Sequence, residues 1–150
     1  VTDKVFSLEV NHGSRPSGAM YAYAVIPRIR ADAALDVALD PPYAILKNGE
    51  DVQAVHHSGD EALGIVFHEA GHFQWQQWEA SVDRACLLVI RRTGAVWHMA
   101  VADPAARGGM VRIDARWPNG YIRELCVSLP DGLNAGTSVI VDLDHGSMRP

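Results

Sequence analysis

The chain has 150 residues, a formal net charge of −5 and 48% hydrophobic residues, which are ordinary values for a globular protein. They exclude a disordered or low-complexity chain, and they argue against a general nucleic-acid binder, which needs a basic face. No apolar run approaches the roughly 18 residues of a membrane span, so we expect neither nucleic acid nor a membrane as a partner.

The N-terminal part of the chain contains a turn and an alternating segment. Residues 10–16 are rich in turn formers, and Gly13 is expected to supply a positive φ there. Residues 21–26 alternate, which predicts a strand with Tyr21 and Tyr23 on one face.

One helix and several strands follow. The composition of Ala31–Leu39 predicts a short helix that Asp32 caps and that ends before Pro41-Pro42. Further strands, separated by turn residues, are predicted at Cys86–Ile90, Val96–Val101, Met110–Trp117, Tyr121–Leu129 and Ser138–Leu143. Strands at this spacing without intervening helices favour an all-β fold, an antiparallel β-sandwich.

The sequence His68-Glu69-Ala70-Gly71-His72 matches the pattern H-E-x-x-H. On a helix, both imidazoles would share one face and bind zinc, and Glu69 would polarise a metal-bound water. Gly71 disfavours a helix interior, and residues 63–67 fit a strand equally well. The favoured interpretation is a strand followed by a loop with no metal, and a zinc metallohydrolase is the alternative.

The two cysteines, Cys86 and Cys126, lie in apolar stretches. Two cysteines are too few for a disulfide scaffold and do not have zinc-finger spacing. We expect two buried free thiols, and a disulfide between them is the alternative if the chain is secreted.

Five segments in a fixed order carry a family resemblance. They contain a His-Gly-x-x-Pro turn, a Tyr-x-Tyr strand that ends in Pro, a Gln-Ala-Val strand and a late Asp-Pro turn, and they span residues 10–16, 21–27, 45–49, 51–55 and 99–104. In this order and spacing the chain resembles polysaccharide lyase family 8, the hyaluronate, chondroitin AC and xanthan lyases.

The resemblance implies a domain organisation. Such lyases have an N-terminal α/α toroid, a large central β-sandwich and a small C-terminal β-sandwich. Residues 1–78 would supply the last strands of the central sandwich, and residues 79–150 would form the C-terminal sandwich. The toroid would be a partner domain that this chain lacks.

The resemblance also implies a function. Family members cleave uronic-acid polysaccharides by β-elimination, without a cofactor, and their catalytic Asn, His, Tyr and Arg belong to the toroid. We therefore expect no catalytic residue in this chain, a supporting role in a secreted, extracellular lyase, and contact with acidic polysaccharide through the parent enzyme.

Some side chains are candidates for direct carbohydrate contact, because sugar rings pack on aromatic faces and uronates need polar partners. They are His12, Arg15, Tyr21, Tyr23, Trp75 and Trp78. A stand-alone carbohydrate-binding module is the alternative function that would use them. The structural alternative is that the aromatic residues pack within and between sheets and contact no sugar.

Overall fold

Strands dominate the computed structural model, which describes residues 9–118 and 122–143. One α-helix and ten strands are formed in these ranges, in the order α1 (Ala31–Leu39), β1 (Tyr43–Asn48), β2 (Val52–His57), β3 (Ala62–Phe67), β4 (Gly71–Trp75), β5 (Trp78–Val82), β6 (Cys86–Thr93), β7 (Val96–Ala102), β8 (Gly109–Arg116), β9 (Ile122–Leu129) and β10 (Val139–Asp142). A 3-10 helix, Gly132–Asn134, precedes β10. Within the described ranges, no helix has the length and apolarity that a membrane span requires.

The strands form two antiparallel sheets. One has six strands in the order β1-β2-β3-β6-β7-β10, and the other has four in the order β4-β5-β8-β9. One hydrophobic core contains buried side chains from both sheets. The predicted antiparallel β-sandwich is therefore confirmed.

Period-two burial explains how the two sheets pack. In β8, Val111, Ile113 and Ala115 are buried while the residues between them face outward. Trp78 of β5 and Trp97 of β7 meet edge to face across the core, with ring centroids 5.1 Å apart. This contact joins the two sheets directly.

The predicted division at residues 78 and 79 falls inside a structural unit. Trp78 is the first residue of β5, and both sheets contain strands from each side of this position. In particular, β3 pairs with β6. Within the described ranges, the expected boundary does not separate two hydrophobic cores.

The local predictions had mixed outcomes. The helix has the predicted bounds, but Arg30 occupies its N-cap position, and Asp32 instead accepts a hydrogen bond from the Ala33 N–H. The hairpin of β6 and β7 is confirmed, with Gly94 at positive φ in its turn. The other strands predicted beyond residue 100 are confirmed within one or two residues as β8, β9 and β10. Tyr121 lies outside the described residues.

The strand predicted at residues 21–26 is wrong. This segment forms no ladder with another strand, and the side chains of Tyr21, Tyr23 and Val25 are exposed. Alternation alone does not make a strand, because an isolated extended segment leaves its backbone groups unpaired by a neighbour.

Candidate functional site

An open cleft lies between the extended segment 18–24 and the outer side of β1 and β2. Its volume is about 970 Å³. The lining combines aromatic, amide, imidazole and charged side chains on an aliphatic floor, and its polar and large apolar members are Met20, Tyr21, Tyr23, Tyr43, Ile45, Lys47, Asn48, Glu50, Gln53, Val55, His57 and His68. A concave apolar surface with a few polar groups is the usual composition of a ligand site.

Two tyrosines form the outer wall of the cleft. The rings of Tyr21 and Tyr23 are nearly parallel, with centroids 6.3 Å apart and an interplanar angle of 9°. This separation follows from extended backbone, in which residues two apart are about 6.6 Å from each other. Both side chains are at least 60% exposed, so their faces are accessible to a ligand.

The N-terminal turn lies beside this wall. The ring of His12 is 6.0 Å from that of Tyr21. The Gly13 N–H donates to the Asn11 side-chain oxygen over 2.7 Å, and Gly13 has a φ of 77°, which confirms the predicted conformation. Arg15 is exposed and does not line the cleft.

Side-chain amides connect the wall to the sheet. The Asn48 amide donates to the backbone carbonyl of Tyr21 over 3.1 Å. Gln53 in turn donates to the Asn48 side-chain oxygen over 3.3 Å. Residues separated by 27 positions in sequence are thereby joined, which holds the tyrosine segment over β1 and β2.

Lys47 supplies the cation of the cleft. Its Nζ lies 2.7 Å from Asp51 Oδ2. The hydrogen bond from Lys47, helped by the backbone N–H of Val52, lowers the pKa of the Asp51 carboxyl below its usual value. Glu50 is the acidic residue that lines the cleft.

The predicted tryptophans lie elsewhere. Trp78 is 4% exposed in the core, and Trp75 is half-buried with its ring 4.7 Å from that of His56. Neither lines the cleft. Both tryptophans pack against other residues, as the packing alternative predicts, and Trp78 is too buried to contact a sugar.

The H-E-x-x-H segment does not form a helix. His68 and Glu69 lie in the exposed turn between β3 and β4, and His72 is a residue of β4 whose Nδ1 is 2.9 Å from Ser81 Oγ. The predicted strand followed by a loop is confirmed, and the helical face that the zinc hypothesis requires is not formed. No group of three metal-ligating side chains is found within the described ranges.

The two cysteines are in opposite environments. Cys86 is buried in the core, where burial raises the pKa of its thiol to about 12, whereas Cys126 is exposed on β9. The prediction that both are buried is therefore wrong for Cys126. Both thiols are free, so the alternative of a disulfide is not realised.

Several cleft residues were not singled out in the sequence, namely Tyr43, Lys47, Asn48, Gln53 and His57. The period-two alternation in β1 and β2 could have placed some of them on one face. It could not have shown that the segment of Tyr21 covers that face, because this contact is between residues distant in sequence.

The comparisons with known proteins agree with this architecture. Residues 44–111 match the family model described as the polysaccharide lyase family 8 C-terminal beta-sandwich domain. The chain is 27% identical to the chondroitinase-AC of Pedobacter heparinus over 93% of its own length, and 28% identical to the xanthan lyase of a Bacillus species over 81%. The matched residues assign this part of the chain to the C-terminal beta-sandwich domain of polysaccharide lyase family 8, and the two relatives extend the similarity over most of the chain.

Two solved structures have a fold similar to that of this lyase domain. A structure of chondroitinase AC lyase in oligosaccharide complexes superposes on 88% of the chain with a TM-score of 0.75 and 26% identity. A Paenibacillus xanthan lyase shares the fold, with a TM-score of 0.61 over 78% of the chain at 19% identity. The lyase domain spans 20% or less of the length of these relatives.

Proposed function

We propose that this lyase domain is a non-catalytic support for a secreted, extracellular enzyme that cleaves uronic-acid polysaccharides by β-elimination. The family match and the names of the two relatives, chondroitinase-AC and xanthan lyase, support the substrate class. The short span of the chain relative to these proteins supports a separate catalytic domain.

The observation that carries the supporting role is an apolar row on the outer side of the six-stranded sheet. Register places one residue from each strand in a continuous cross-strand line, and the line consists of Ile45, Val55, Gly64, Val89, Ala100 and Ile140. Ile140 is 70% exposed, and Ile45, Val55 and Val89 are each more than 40% exposed.

The four-stranded sheet has an outer side of the opposite character. Its corresponding cross-strand line is polar and consists of His72, Ser81, Asp114 and Glu124. Antiparallel sheets that face water on one side alternate polar residues outward, as this sheet does. Ile45 and Val55 of the row form the floor of the cleft, and the remaining apolar row on β3, β6, β7 and β10 is typical of a surface that another domain covers.

The exposure of the cleft also supports a non-catalytic role. β-Elimination needs a positioned base and preorganised donors that stabilise charge on the developing carbanion, and these act strongly only where water is excluded. Tyr21 and Tyr23 are 60% and 67% exposed. A site this open suits the binding of a polymer better than proton abstraction from it.

The decisive experiment is an activity assay of the isolated chain. Hyaluronan, chondroitin and xanthan would be incubated with it, and the absorbance of unsaturated uronate product followed. We expect no increase. An increase that scales with the concentration of this chain would overturn the proposal.

A second experiment tests the supporting surface. In a lyase that contains this domain, V89D on the apolar row should lower the Tm of the whole enzyme more than S128D, which introduces the same charge at an exposed position of β9. In the isolated chain the two variants should behave alike. Equal effects in the whole enzyme would contradict a docking role for this face.

Location and metal content each have a direct test. An extracellular enzyme should be recovered from the culture medium of the producing cells, and recovery only from lysed cells would contradict secretion.

The zinc-hydrolase alternative requires stoichiometric zinc that H68A abolishes, which elemental analysis of the purified chain measures.

A further inference from the structure

The cleft between segment 18–24 and β1–β2 points to a ligand. We infer that it binds a uronate-containing oligosaccharide, with sugar rings on Tyr21 and Tyr23 and a carboxylate on Lys47. This inference rests on the proposed substrate class, but it assigns the domain a polysaccharide-binding site of its own.

The tyrosine wall supplies the apolar half of the recognition. Sugar rings present C–H faces that pack on aromatic rings, and Tyr21 and Tyr23 offer two nearly parallel rings 6.3 Å apart. Tyr43 lies across the cleft on β1. Because the cleft is open to solvent, a segment of a polymer can enter it from the side.

The charged half is supplied by Lys47. An ammonium has three donors, and Asp51 accepts one of them over 2.7 Å. The side chain of Lys47 is 38% exposed, so a carboxylate can approach it from the solvent side. Gln53 and His57 add amide and imidazole groups that suit sugar hydroxyls.

The local charge explains how an acidic protein can bind an acidic sugar. The chain has a net charge of −5, which repels a polyanion as a whole. At the cleft, the ammonium of Lys47 is shared between its partner Asp51 and the solvent, and Glu50 is the acid in the lining. Attraction of a carboxylate is therefore local to the exposed side of Lys47, and binding should weaken with salt.

The test measures binding of a chondroitin tetrasaccharide to the chain by calorimetry. Y21A and Y23A should each weaken binding about tenfold, the equivalent of about 1.4 kcal/mol. Y21F retains the ring and should bind almost as tightly as the native chain. Both tyrosines are exposed, so their loss should leave the Tm unchanged and a failure to fold would be recognised.

Two charge variants should change the affinity for the tetrasaccharide in opposite directions. K47M should weaken binding about fivefold and reduce its salt dependence, whereas D51N should strengthen binding severalfold because the Lys47 ammonium loses its internal partner. The matched control is R91M, which removes the same charge from an exposed residue outside the cleft. A merely structural role for the Lys47–Asp51 pair would make D51N weaken binding instead.

Three results would overturn the inference: no binding by the native chain at millimolar sugar, binding that Y21A and Y23A leave intact, or equal binding of a carboxyl-reduced tetrasaccharide. The last would show a neutral-sugar site. None of these three results measures catalysis. The proposed supporting role is therefore tested separately, by the activity assay.

Discussion

Arg84 Nη2 lies 2.8 Å from Asp103 Oδ2, and this ion pair joins two of the four connections by which the chain passes between the sheets in the described ranges. Arg84 belongs to the link from β5 to β6, and Asp103 belongs to the link from β7 to β8. The Arg84 guanidinium also donates to the Gly108 carbonyl over 2.8 Å.

The carboxylate of Asp103 is fully engaged. It is 2% exposed and accepts hydrogen bonds from the backbone N–H groups of Ala105 and Arg107 as well as from Arg84. Gly108 completes the connection at positive φ. A Cβ at this position would lie only 2.9 Å from the Cβ of Asp131, so a larger residue would collide with it. The Asp-Pro turn of the sequence is thus an organised corner of the sandwich.

Loss of this ion pair should destabilise the domain. D103N and R84M should each lower the Tm by about 5 °C, because each leaves the other partner, half-buried Arg84 or buried Asp103, without the opposite charge of this pair. The double variant should cost less than the sum of the two. D36N on the exposed side of the helix is the control, and additive effects in the double variant would contradict direct coupling.

Stability should decrease in acid through the same residue. Burial works against ionisation of Asp103, but the two backbone N–H donors and the nearby arginines outweigh it and lower the pKa of the carboxyl below 3.8. A lowered folded-state pKa gives stability that is present above the unfolded pKa and is lost as the pH falls through the folded value. The Tm should therefore decrease below about pH 4, and the decrease should be smaller in D103N. Identical pH profiles for the two proteins would exclude this cause.

The thiols should react unequally. Cys126 is exposed and should be labelled by a thiol reagent in the native chain, whereas Cys86 is buried with a pKa of about 12 and should react only after unfolding. Counting labelled sites by mass spectrometry with and without denaturant gives one and then two. Rapid labelling of Cys86 in the C126S variant would contradict its burial.

Two isoleucines provide a matched test of the core. Ile113 is fully buried and Ile140 is 70% exposed. I113A should reduce the free energy of unfolding by about 2–4 kcal/mol, because it removes buried methylenes and leaves a cavity. I140A in the isolated chain should change it by no more than about 0.5 kcal/mol. Denaturant titration measures both, and a large effect of I140A would show that its face is covered in the isolated chain.

Local sequence determined the β-rich character, the bounds of the helix and the hairpin of β6 and β7. Alternation in the sequence of β8 also places Val111, Ile113 and Ala115 on one face, and this face is the buried one. These features follow from composition, turn residues and period-two patterning within one segment. The family resemblance was carried by motifs in the sequence as well.

Only the tertiary structure decided which strands share a sheet. The β4–β5 hairpin lies between β3 and β6 in the sequence but joins the other sheet, so a boundary inferred near residue 79 falls within one sandwich. The Arg84–Asp103 pair and the hydrogen bond from Asn48 to the Tyr21 carbonyl likewise join distant segments. Alternation tells which side of a strand is buried but does not specify its partner, because pairing and register are set by contacts between segments far apart in the chain.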